Sequence, residues 1–171
     1  MSDIHHYVSK DDSYKRIVDD ILQNDEFNKL KSIEHHGLTR YDHCLKVSYY
    51  SYKFAKSLKL DYKQVARAGL LHDFFISGDE KNLKDKIKLF VMHPKKAEKK
   101  AKEIFDLTEK ESDIILSHMF PISFTVPKYI ESWIVTAVDK GVATYEFCKK
   151  FHKQIGYAMN VYLIFFLNFL K

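Results

Sequence analysis

The chain has 171 residues, of which 30% are charged and 15% aromatic, with only 5 glycines and 3 prolines. That length holds one substantial core, and the composition excludes disordered, collagen-like and disulfide-scaffold classes. A formal charge of +5 suits anionic partners in general without singling out nucleic acid.

Scarce glycine and proline with long helix-forming stretches predict an all-α fold, a single bundle of seven or eight helices over residues 1–171. The first clear helix, "DSYKRIVDDILQ", has Ile17, Val18, Ile21 and Leu22 at helical spacing. His35 and His36 follow in "EHHG", with a rim or capping role left open. Thr39, with Asp42 three residues on, opens the next helix. Its inward line reads His43, Val47, Tyr50, Phe54 and Leu58. Asp61, with Gln64 in the capping-box position, opens another, kept slim by Ala66, Ala68 and Gly69.

That helix runs into "LLHDFF", where His72 and Asp73 stand inside an apolar run. In "HPKKAEKKAKEIF", Pro94 suits a first helical position, with His93 just ahead of it. The lysines between 81 and 102 read as a solvated face, with steering of an anionic substrate as the alternative. Thr108 and Glu111 form a capping box for a helix carrying Ile114, Ile115 and His118. A long helix in "KYIESWIVTAVDKGVATYEFCKK" sets Asp139 among Val135, Val142 and Ala143. The tail from Ile155 is apolar but broken by Asn160 and Asn168, and shorter than the roughly 20 residues of a spanning helix. It is expected to pack on the core as a terminal helix, with no membrane span. Cys44 and Cys148 have no redox or zinc-ribbon spacing, and the N-terminus has no apolar signal-peptide region, so a cytoplasmic protein is expected.

His43, His72, His118 and Asp139 thus sit on stripes that should face the core, joined by Asp73 and His93. Burying a lone aspartate is costly unless it is paired, hydrogen-bonded or bound to a cation. No arginine lies one turn from Asp139. Imidazole nitrogen and carboxylate oxygen are donors that borderline transition metals accept, so one or more cations would satisfy the set jointly.

The order H…HD…H…H…D, here His43, His72–Asp73, His93, His118 and Asp139, resembles the HD-domain metal-dependent phosphohydrolase superfamily from about residue 37 to 147. The two extra histidines match the version found in two-metal members, such as the HD-GYP proteins and the HD proteins that hydrolyse cyclic di-AMP. The resemblance implies an all-α HD-type domain with the N-terminal and C-terminal helices packed on it. It implies one ion on His43, His72, Asp73 and Asp139, a second on His93 and His118, and Asp73 bridging.

The ions would be divalent transition metals, Fe, Mn, Co, Ni or Zn. They would acidify a water and grip phosphate oxygens of a small anionic, nucleotide-like phosphate ester. Asp73 would then be catalytic as well as a ligand, with Arg40 and Lys140 as phosphate-binding candidates. Phe74-Phe75 stands where one subgroup has Ile-Gly, and neither a GYP tripeptide nor the lysine of HD-GYP proteins follows, which argues against cyclic di-GMP. Two alternatives stay open, a di-iron oxygenase of the HD type and a non-catalytic nucleotide-binding HD module. No aromatic-interleaved basic motif points to sequence-specific nucleic-acid reading.

Overall fold

Side-chain caps set where most of the helices begin. The computed structural model describes residues 3–35, 38–76 and 82–169. Helix α1 spans Asp3–Lys10, and α2, Asp12–Leu22, is capped by the Asp11 carboxylate. Asn24 caps the short α3, Asp25–Asn28, which runs into a 3-10 turn at Lys29–Ser32. Two-residue strands β1, Glu34–His35, and β2, Leu38–Thr39, pair antiparallel. Thr39 then caps α4, Arg40–Ser57, and Asp61 caps α5, Tyr62–Leu71. Asn82 caps α6, Leu83–Ile104, and the expected box of Thr108 and Glu111 opens α7, Glu109–Ser117. The last helix, α8, runs unbroken over Ile130–Phe169. The fold is all-α, with eight α-helices among the described residues and the small hairpin as a minor feature.

Helix α4 is central, packing on α5 and α8 and touching α1. A Cβ on Gly69 would lie 2.8 Å from the Ser48 Cα, so α5 reaches α4 with backbone nearly touching backbone. Tyr14 fixes the same spot. Its hydroxyl donates to Ser48 Oγ at 2.6 Å, and Ser48 in turn donates to the Ala66 carbonyl at 2.5 Å.

This close approach corrects the inward line expected for α4. Tyr50, Phe54 and Leu58 are exposed, while Cys44, Leu45, Ser48, Ser51, Tyr52 and Ala55 are buried together with His43 and Val47. The crossing with α5 demands small side chains, and the serine hydroxyl at the contact is satisfied, so polarity there does not mark the outer face.

A second correction concerns Pro94. It does not start a helix; it lies inside α6. The proline leaves the Phe90 carbonyl without its usual main-chain donor. The His93 ring supplies a replacement, its Nδ1 lying 2.7 Å from that oxygen.

The lysines of α6 do form a mostly solvated face, with Lys100 reaching Glu26 at 3.1 Å and Lys102 pairing with Glu98. Among the described residues no helix is long and apolar enough to cross a membrane. Phe147, Phe151 and Ile155 on α8 are exposed. The expected packing of the tail beyond them, and the roles weighed for His35 and His36, fall outside what is described.

Candidate metal centre

Five elements deliver the six candidate ligands to one place. His43 comes from the first turn of α4, and His72 and Asp73 from the end of α5. His93 comes from the proline break in α6, His118 from the end of α7, and Asp139 from α8. All six are buried, none more than 8% exposed. Three overlapping trios, His43–His72–Asp73, His72–His118–Asp139 and Asp73–His93–His118, each bring their donor atoms within 4.8 Å of one another.

Three of the histidines are fixed in the same way. His72 Nδ1 lies 2.8 Å from the Gly69 carbonyl, His93 Nδ1 2.7 Å from Phe90, and His118 Nδ1 2.7 Å from Ile115. A carbonyl only accepts, so each Nδ1 carries a hydrogen and each ring turns its Nε2 inward, where a neutral ring has its lone pair.

The result is a convergence of acceptors. His93 Nε2 and His118 Nε2 stand 2.9 Å apart, and Asp73 Oδ1 lies 3.2 Å from the first and 3.7 Å from the second. His72 Nε2 lies 3.6 Å from Asp139 Oδ1. His72 Nε2 and Asp73 Oδ1 are buried without a hydrogen-bond partner. Burial and the neighbouring His72 hold the His118 pKa down at about 3, so that ring supplies no proton. Lone pairs crowded this way call for a cation, and nitrogen with carboxylate oxygen is the right donor chemistry for one.

His43 is held differently. Its Nε2 lies 3.0 Å from Asp139 Oδ1 and its Nδ1 3.0 Å from Glu146 Oε2. Burial works against its charged form, but the two carboxylates outweigh that and raise its pKa to about 10. Glu146 is itself buried and accepts from Lys46 Nζ at 2.8 Å. Burial opposes the charge on Glu146, but His43 and Lys46 keep its pKa low. Reading the sequence missed Glu146. Its signal was there: it lies seven residues after Asp139, two turns along the same stripe of α8.

Arg40 and Lys140 both reach the cavity that opens over these ligands. Arg40 is buried, donating from one terminal nitrogen to the Phe75 carbonyl at 2.7 Å, with its guanidinium 4.0 Å above the Phe75 ring. Its Nε has no hydrogen-bond partner. Lys140 donates to the His118 carbonyl at 3.0 Å, and burial lowers its pKa. Cys44, beside His43, is buried and outside the ligand trios; burial raises its thiol pKa well above normal.

A family model described as HD domain matches residues 40–144, more than half of the chain. No curated protein and no solved structure matches the chain.

Proposed function

Since the chain belongs to the HD-domain family, whose members are in general metal-dependent phosphohydrolases, we propose that it hydrolyses a small anionic phosphate ester with two divalent transition-metal ions. The observation that carries this reading is the convergence of His72, His93 and His118 Nε2 with Asp73 Oδ1 beneath an open cavity. His43, His72 and Asp139 would hold one ion, His93 and His118 the other, and Asp73 would give one oxygen to each. Ions so held supply Lewis-acid polarisation of phosphoryl oxygens and acidify a water.

The chain's own residues do the rest. The carbonyl bonds at Nδ1 of His72, His93 and His118 fix the rings so that they do not swing as charge moves. Arg40 lines the cavity, and its buried guanidinium sets a positive charge beside the site, suited to a phosphate. Lys140 adds a second positive charge at the end of α7. The buried setting strengthens both against the dianion.

The test is metal analysis of the protein after loading with Mn, Fe, Co, Ni or Zn, then phosphate release from monoesters and diesters with and without chelator. Hydrolysis is expected only with metal bound. Fully loaded protein that turns over no ester would refute the proposal.

A further inference from the structure

The cavity above the ligands has a volume of about 470 Å³. Its walls, apart from the ligands, are chiefly Phe75, Leu89, Phe90, Met119, Ile122 and Ala143. Among the described residues the remaining polar lining groups are Arg40, Lys140 and Thr144. Each of these already donates to a main-chain carbonyl, of Phe75, His118 and Lys140 respectively. With Arg40 and Lys140 assigned to the phosphoryl group, Thr144 is the one polar wall group left, among the described residues, to meet sugar hydroxyls or the polar edge of a base.

Phe75 is fixed as a wall by its neighbours. Its ring is stacked with His93 at a centroid distance of 5.3 Å, and Arg40 covers it. At the mouth, Phe90 is 51% and Ile122 43% exposed. Large, partly exposed apolar side chains lining a polar site present a surface that an apolar ligand would cover.

From this lining we infer that the organic part of the substrate is apolar, an alkyl or aryl group carried directly on the phosphate. The inference rests on the phosphohydrolase reading for its chemistry and on the cavity for its selectivity. The phosphoryl group goes to the floor, and the apolar group lies between Phe75 and Phe90 and over Ile122. A hydroxylated group of equal size gains no partner there and loses its water.

The experiment compares n-hexyl phosphate with glycerol 3-phosphate and adenosine 5′-monophosphate, all esters of aliphatic alcohols, so that leaving-group differences are small. Each buried methylene is worth roughly three- to fourfold in affinity. The metal-loaded full chain should therefore favour hexyl phosphate by at least about tenfold in kcat/KM, chiefly through KM. Phe90→Ser and Ile122→Ser should each shrink the hexyl-to-glycerol ratio several-fold. Equal or higher kcat/KM for glycerol phosphate or the nucleotide, or ratios unmoved in both variants, would overturn the inference.

A second arm keeps the two claims separate. Binding of hexylphosphonate and of 2-hydroxyethylphosphonate to the same metal-loaded protein is measured by calorimetry. If no ester is hydrolysed, the phosphohydrolase reading fails, and the phosphonate pair still decides the cavity's preference. Tighter binding of hexylphosphonate that weakens in Phe90→Ser supports it, and equal binding refutes it.

Discussion

Replacing Pro94 with alanine should move stability and metal binding in opposite directions. The proline lies inside α6 and leaves the Phe90 carbonyl to the His93 ring, 2.7 Å away. Alanine restores a main-chain N–H aimed at that carbonyl and removes the ring clash. Proline in a helix interior costs about 3 kcal/mol relative to alanine. The His93 bond recovers part of this here, so a gain of about 1–3 kcal/mol is expected in the metal-free protein. For a chain of this size that is a rise of roughly 3–10 °C in Tm.

The same change makes the carbonyl the target of a competing donor and so loosens the bond that orients the His93 ring. Loss of such an orienting bond typically costs about 10–100-fold in metal affinity. The cost should fall on the ion held by His93 and His118, leaving the other nearly unchanged. Thermal unfolding in chelator and two-site metal titration read the two effects. Unchanged affinity at both sites would refute the account of the proline break.

Four further outcomes are expected. His93→Ala should leave about one metal per chain by elemental analysis, with circular dichroism unchanged; two metals retained would overturn the assignment of His93. Glu146→Gln keeps an acceptor for His43 but removes a charge, so the His43 titration in metal-free protein, followed by NMR, should drop from about 10 by roughly one unit or more. The sign for stability follows: the raised pKa makes the His43 contribution complete below pH 6.5 and lost as pH climbs to about 10, so the urea midpoint of chelated wild type should fall over that window, and a flat midpoint would contradict it. Gly69→Ala would push a Cβ to 2.8 Å from the Ser48 Cα, which is backbone with nowhere to go, and should cost about 1–3 kcal/mol in denaturant titration; a neutral result would mean that α5 slides without penalty.

The buried cluster of candidate ligands was legible because each member breaks a local rule, a titratable side chain on an otherwise apolar stripe. The helix starts at Thr39, Asp61 and Thr108 were legible because capping is local chemistry, three residues deep. What failed depended on tertiary contact. The exposed flank of α4 carries Tyr50 and Phe54 because the close contact with α5 takes Ser48 instead, and no pattern within α4 states where α5 will cross. Pro94 was misplaced because a proline normally marks a helix start, and the donor that repairs the break, the ring of the preceding residue, belongs to the site and not to the helix. Glu146 was passed over because its partners, His43 and Lys46, lie on another helix a hundred residues earlier.

These failures share a cause with the site's construction. A histidine that presents Nε2 to a cation needs an acceptor for Nδ1–H, and the cheapest acceptor is a carbonyl the helix does not use. Such carbonyls occur in the last turn of a helix and opposite a proline. His72 and His118 cap the ends of α5 and α7 and take the first kind, while His93 precedes Pro94 and takes the second. His43 sits in the first turn of α4, where the carbonyls are engaged by the helix that follows, so no main-chain acceptor is free for it. It therefore depends on a side chain, and Glu146, steadied by Lys46, fills that place. The placement of each ligand relative to its helix end thus determines which need a dedicated partner, and it accounts for one buried glutamate beside four histidines and two aspartates.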